Sequence, residues 1–404
     1  MNNVTISGVG PPVNSQFGDL RTARKFPIIE LTSVYGISTL RDIVTTTGAA
    51  TITNNSTEYI LSTTAAGTDS AALESAERGR YESGFAGEAG IAARLPAPPT
   101  GNQVARWGMF DSQNGAFFGQ SVANGIFVAI RRAGTDIIVP QASWNVDPLN
   151  GTGPSGVTLN LAKGNIFEIT FTWYGYGVIE FRVVIANPTT LAQEVITVHR
   201  YAPSGQTSFA DPNLPLRGEV SNGGTASGFT LFIGGRQYSI IGDYNPIFRI
   251  TSDRRTVTNI PVGGTVPILS FRRKTVFPAG SGRTNSVLIS LEGADLISTT
   301  DISFQVVLDG TINGSYVNFP TANTIIPDNE TALLVNNTAT TISGGEVVYQ
   351  GVSAGGTGIS RLRASVELLN FELPDTSIVT LTVTNLGNSP SNTVYGTFRL
   401  TESW

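Results

Sequence analysis

The stretch Asn165–Ile185, NIFEITFTWYGYGVIEFRVVI, decides the fold. Phe167, Ile169, Phe171 and Trp173 fall on one side of an extended chain, with Glu168, Thr170 and Thr172 on the other. Past Tyr174–Gly177 the alternation resumes, and Ile179, Phe181, Val183 and Ile185 share a face opposite Glu180 and Arg182. A period of two, interrupted by glycines, predicts a β-hairpin with one buried face and Tyr174–Gly177 as its turn. No catalytic group stands out within it.

The same grammar runs through the chain. Forty-five glycines and twenty-one prolines punctuate short runs of Val, Ile, Thr, Phe and Tyr, so the expected class is all-β. The 404 residues leave room for two or three domains. The expected layout is an extended N-terminal arm over 1–26, a large β-sandwich or jelly-roll domain over 27–252, a linker over 253–270 and a second, smaller β-sandwich over 271–404. Asn114–Gly115 and Asn124–Gly125 are hairpin cues. SAALESAERGRYESG reads as one or two helical turns. The stretch 145–164, rich in glycine and proline, is either a functional loop or a crossover between two sheets.

Composition narrows the function. Charged residues make up 14% of the chain, against roughly 25% for an average soluble domain; a surface so poor in charge suits one covered by neighbours. The net charge of −5 argues against nucleic acid as a partner, because phosphates require a basic face. There is no cysteine, which excludes disulfides and thiolate metal sites. The opening MNNVTISGVGPPVNSQFGDL lacks the basic head and apolar core of a secretory signal, and no apolar run is long enough for a membrane helix. Synthesis and assembly in a host cytoplasm, with no membrane partner, is the expectation.

Motifs for chemistry are sparse. The single histidine, His199, lies in an alternating run and reads as structural. No Gly-x-Ser-x-Gly elbow accompanies it. The Asp and Glu residues are scattered, and their spacing selects no catalytic pair. DSQNG at 111–115 reads as an Asx turn in preference to a calcium loop. FRRKTVF at 271–277 reads as a solvated edge or a subunit contact. The expectation is therefore no enzyme, no catalytic residue, no cofactor and no metal. Phe17, Leu20 and Arg21 are the expected assembly contacts of the arm. A sugar site needs exposed aromatics beside polar groups, and Trp107, Trp144, Tyr174 and Tyr176 are the candidates; Tyr174 and Tyr176, at a turn, are the expected exposed recognition residues.

Several stretches resemble structural proteins of tailed bacteriophages and other large-virus particles: SQFGDLRTARKFPIIELTSVYG, RWGMFDSQNGAFFGQSVANGIFVAIRR, the run from Trp144 through the hairpin, and the terminal FRLTESW. The resemblance covers most of the chain in order and brings no catalytic residue. It implies a virion subunit that contacts copies of itself and neighbouring virion proteins, of tail or fibre-like attachment type. The alternatives are a capsid-surface protein, or a jelly roll that binds or cleaves carbohydrate, with a host surface glycan as ligand.

Overall fold

The computed structural model describes residues 24–172, 174–186, 192–242, 249–355, 362–363, 372–374 and 377–403. Within them the hairpin forms as its alternation predicts. Residues 165–171 pair antiparallel with 179–186, Phe167 opposite Val183 and Ile169 opposite Phe181. Phe167, Ile169, Phe171, Ile179, Phe181 and Val183 are buried. Trp173, and Phe17, Leu20 and Arg21 of the expected arm, lie outside the described residues.

The chain forms two compact units, one of residues up to Ser75 and Gly79–Asn245, the other of Ala76–Arg78 and Pro246–Trp404. The first is built from β1 (Lys25–Leu31), β2 (Asp42–Thr47), β3 (Thr51–Asn54), β4 (Tyr59–Ser62), β5 (Ser70–Arg78), β6 (Ala86–Arg94), β7 (Val104–Phe110), β8 (Gly115–Ser121), β9 (Gly125–Arg132), β10 (Thr135–Pro140), β11 (Asn165–Phe171), β12 (Ile179–Ala186), β13 (Gln193–Tyr201), β14 (Pro215–Ser221) and β15 (Thr230–Ile241). They make an eight-stranded sheet, β13-β12-β11-β6-β15-β4-β3 with β1 also on β15, and a seven-stranded sheet, β10-β9-β8-β7-β14-β5-β2. The segment expected to be helical is strand β5; its Ala71 and Leu73 alternate into the core, and that burial outweighs the helix propensity of Ala, Leu and Glu.

One core fills the space between these sheets. The hairpin supplies its centre: Phe167 meets Phe118 at 4.8 Å and Trp107 at 5.1 Å, and Phe118 meets Phe181 edge-on at 5.4 Å. Such aromatic contacts add to the area they bury. Trp107 and Trp144, candidates for a sugar site, are core residues instead, because the alternation of β7 turns Trp107 inward and the Trp144 Nε1 donates to the Val139 carbonyl at 3.2 Å. The 145–164 stretch crosses from β10 in one sheet to β11 in the other. Buried Asp147 holds it, accepting the Leu149 N–H at 2.9 Å and the Ser155 N–H at 2.8 Å, while Leu149, Leu159 and Leu161 join the core.

The outer face of the seven-stranded sheet carries a second, smaller apolar cluster of Phe110, Phe117, Phe127 and Ala129. A Cβ on Gly119 would lie 2.4 Å from Phe127 Cζ, so the Phe127 ring covers that glycine, an arrangement that fills the gap a side-chain-free position leaves in a sheet. The Arg131 guanidinium stands 5.1 Å from the Phe117 ring and 5.5 Å from that of Phe110, and Arg217 stands 5.5 Å from Phe110. Carboxylates complete the layer: Glu219 binds Arg106 at 2.6 Å and Arg217 at 2.7 Å, Arg217 also pairs with Glu74, and Arg131 binds Asp136 at 2.7 Å.

The second unit is built from β16 (Arg249–Thr258), β17 (Thr265–Arg273), β18 (Leu288–Ser298), β19 (Ile302–Leu308), β20 (Thr311–Ile312), β21 (Leu333–Asn336), β22 (Ile342–Ser343), β23 (Glu346–Ser353), β24 (Leu362–Arg363), β25 (Ile378–Asn385) and β26 (Thr393–Ser403). A five-stranded sheet, β21-β17-β25-β19-β23, and a four-stranded one, β16-β26-β18-β24, share its core. Phe271 of β17 meets Phe398 of β26 at 5.9 Å. The linker expected over 253–270 is mostly β16 and β17, because Asp253 and the alternating residues after it pair with β26. FRRKTVF is not a solvated edge. Phe271 is buried, Arg273 Nη1 donates to the Val287 carbonyl at 2.6 Å, and Lys274 Nζ donates to Asp328 Oδ1 and the Thr331 carbonyl, each at 2.8 Å. Among the described residues no helix is long and apolar enough to cross a membrane.

Candidate functional site

The outer face of the eight-stranded sheet differs from that of its partner because Gly90 and Ala92 of β6 and Gly234 and Gly235 of β15 put a strip of small residues between larger side chains. On β6 the outward positions are Glu88, Gly90, Ala92 and Arg94, alternating with inward Ala89, Ile91 and Ala93. Its neighbour β15 carries an irregularity: Ile233 lies opposite Ala93, but the next partner pair is Arg236 with Ile91. Gly234 and Gly235 fill that interval as a β-bulge. The bulge sends Arg236 inward, where its guanidinium pairs with buried Asp42 and lies 5.1 Å from the Tyr59 ring. On the other flank, β11 sets Ile166 beside Ala92 and Glu168 beside Gly90.

The consequence is a groove along β6 with small residues for a floor. One depression, about 520 Å³, is lined by Glu30, Leu31, Gly90, Ile166, Glu168 and Gln237 among others. A second, about 340 Å³, is lined by Glu58, Arg94, Asn165, Gln193, Phe232 and Gly234 among others. Both include Ala92 and Ile166, so they adjoin. An ion pair stands at each end. Glu88, beside Gly90 on β6, pairs with Lys25 and accepts from Gln237 Nε2 at 3.3 Å, while Gln237 Oε1 accepts from Ser239 Oγ at 2.7 Å. At the far end Arg94 grips Glu58 through two bonds of 2.6 and 2.7 Å and lies 3.6 Å above the Phe232 ring.

Protonation divides the carboxylates. Burial raises Glu168 above the ordinary carboxylate range, and the negative charge of Glu88 adds to the rise; Lys25 and Arg182 oppose it. Glu58 is lowered, chiefly by its hydrogen bond from Arg94. The groove thus holds a carboxyl that keeps its proton to higher pH than an exposed one, among acceptors, an amide and an apolar floor. Such a lining suits a ligand that offers hydroxyls along its edges and C–H surface on its faces. Among the described residues no three His, Asp or Glu side chains gather as a metal site.

Tyr174 and Tyr176 are 62% and 67% exposed at the hairpin turn. Tyr174 has a left-handed φ of 37°, and its N–H donates to Tyr81 Oη at 2.9 Å. Neither tyrosine lines the groove. His199 is buried; its Nδ1 accepts the Asn145 N–H at 3.2 Å, and burial lowers its pKa. Asp111 Oδ1 accepts the Gln113 and Asn114 N–H groups, each at 2.8 Å, and closes an Asx turn. The groove residues escape a reading by sequence spacing because they come from positions 30, 58, 88–94, 166–168 and 232–237. The one local signal is Gly234–Gly235 inside an alternating run, which marks a bulge.

No protein-family model and no curated protein matches the chain. Solved structures similar to it include the endo-1,3-beta-glucanase from Streptomyces sioyaensis, at 10% identity over 58% of this chain and all of that one, TM-score 0.37. The endo-beta-1,4-glucuronan lyase from the fungus Trichoderma reesei is similar at 12% identity over 53% of this chain and 95% of that one, TM-score 0.34. The carbohydrate recognition domain of Emp46p is similar at 8% identity over 51% and 96%, TM-score 0.32. The all-β class rests on the chain's own sheets. The expectation that the chain is not an enzyme is corrected: the solved structures similar to it include a glucanase and a lyase, and the lack of a linear catalytic motif excludes no activity.

Proposed function

We propose that the chain is a carbohydrate-binding β-sandwich subunit of a virus particle, with the groove along β6 as its glycan site. The groove itself carries the reading. Its floor of Ala92 and Gly235, with Ile166 beside them, admits the apolar face of a sugar ring, and Glu30, Glu168 and Gln237 offer the acceptors and the donor that ring hydroxyls need. Two adjoining depressions fit an oligosaccharide better than a single sugar. The virion part of the reading rests on the sequence resemblance and the low charge content.

Two substitutions test the groove. Gly235 has no left-handed φ, and a Cβ there would find only the Leu31 carbonyl oxygen, at 3.7 Å. Gly235→Phe therefore fills the groove without straining the backbone. On a glycan array the native chain is expected to retain a subset of oligosaccharides that Gly235→Phe loses and Glu168→Gln holds more weakly. Reducing-end release, read on the same panel, reports any cleavage. Equal binding by native chain and Gly235→Phe would move the site elsewhere. Labelling of intact particles with an antibody to the chain tests the virion assignment and its position.

A further inference from the structure

The second unit carries a polar pocket of different character on the outer face of its four-stranded sheet. The register across β16, β26 and β18 aligns Arg254, Thr397 and Asp295 in one row and Thr256, Tyr395 and Ile297 in the next. These residues, with Asn323, line a depression of about 500 Å³. The alternation sends their neighbours inward. Arg255 donates to the Pro267 carbonyl at 3.1 Å and the Ala339 carbonyl at 2.5 Å, and Asp253 accepts from Asn337 Nδ2 at 3.0 Å.

Charge decides what this pocket can hold. Its one outward carboxylate, Asp295, is neutralised by Arg399. Arg254 is exposed and makes no ion pair among the described residues; Arg255, which also lines the depression, turns its Nη1 to backbone carbonyls, so Arg254 is the guanidinium the pocket presents. Beside it stand the Tyr395 ring, 51% exposed, two threonine hydroxyls and an amide. A guanidinium fork matches a carboxylate, an aromatic face takes the C–H face of a ring, and hydroxyls and amides bond to other hydroxyls.

We infer that this pocket binds a carboxylate-bearing sugar, its carboxylate on Arg254 and its ring against Tyr395. The site uses none of the groove residues of the first unit and goes beyond the function proposed for them.

The test is calorimetric titration of the full chain with a galacturonic-acid-terminated oligosaccharide, with its methyl ester, and with acetate. The acid is expected to bind, the ester to bind about tenfold or more weaker, and acetate not to displace the sugar. Arg254→Ala should weaken the acid by about tenfold to a hundredfold, the loss expected for a charge-assisted bond, and leave the ester unchanged. Arg254→Lys should restore part of the loss, and Tyr395→Ala should weaken acid and ester alike. In the Gly235→Phe background, where the first-unit groove is filled, the difference between acid and ester and the loss in Arg254→Ala should persist, so failure of one site is read separately from failure of the other. Equal affinity for acid and ester, native affinity in Arg254→Ala, or displacement of the sugar by acetate at equal concentration would each overturn the inference.

Discussion

The two outer faces of the first unit are made from the same kind of strand and end as opposites. On the seven-stranded sheet the outward positions hold Phe110, Phe117 and Phe127, and arginines paired to carboxylates close over them. On the eight-stranded sheet the outward positions along β6 run Glu88, Gly90, Ala92 and Arg94, Gly90 lies beneath the Gln237 side chain, and a two-glycine bulge beside Ala92 leaves a groove. Glycines occur in both. Gly119 of the seven-stranded sheet sits under the Phe127 ring, whereas Gly235 sits under nothing closer than 3.7 Å. Missing side chains make a site only where no neighbouring ring fills the gap.

That contrast predicts unequal responses to mutation. The largest is at Phe117, which is fully buried. Phe117→Ala should cost about 3–5 kcal/mol in denaturant unfolding, whereas truncation of the half-exposed groove residue Ile166 should cost about 1 kcal/mol or less. Equal losses would mean that the groove face is as tightly packed as the other.

Next comes Glu219. Burial alone would raise its pKa, but Arg217 and Arg106 outweigh burial and hold it below the ordinary range. Its contribution to stability is therefore present above the ordinary carboxylate pKa and is lost as pH falls through the lowered folded value. Glu219→Gln should remove about 2–3 kcal/mol at neutral pH and flatten the acid limb of a stability–pH curve. Gly119→Ala should cost about 1–3 kcal/mol, because its methyl would meet the Phe127 ring and, at 2.8 Å, the Ala105 carbonyl oxygen. Refinement of that variant should find the Phe127 ring displaced.

The smallest effect has the opposite sign. Glu168 is raised by burial and by Glu88, so its ionised form is disfavoured in the folded chain. That penalty is absent below the ordinary carboxylate pKa and grows as pH rises through the folded value. Glu168→Gln should therefore leave stability unchanged in acid and raise it at neutral pH, by about 1 kcal/mol or less, while weakening glycan retention. A variant less stable at neutral pH would show that the carboxylate is a structural partner of the sheet.

The amino-acid order alone determined the all-β class, the hairpin of residues 165–185 with its buried Phe167, Ile169 and Phe171, and the Asx turn at Asp111, because period-two alternation and turn chemistry are local. It misread residues 70–78, where helix formers lie in a strand, and residues 253–270, where pairing with β26 makes strand of an expected linker. Both errors have one cause: a strand is stabilised by partners distant in sequence, β2 and β14 for β5 and β26 for β16, and local propensity does not register them. The sites follow the same rule. Glu168 was visible as the polar side of a hairpin, but Gly90, Gln237 and Glu88 became its neighbours only through the pairing of β11, β6 and β15. Arg254 and Tyr395 likewise meet only because β16 lies against β26. Alternation along a strand fixes which side chains share a face, and only the order of strands in the sheet decides which of those faces adjoin.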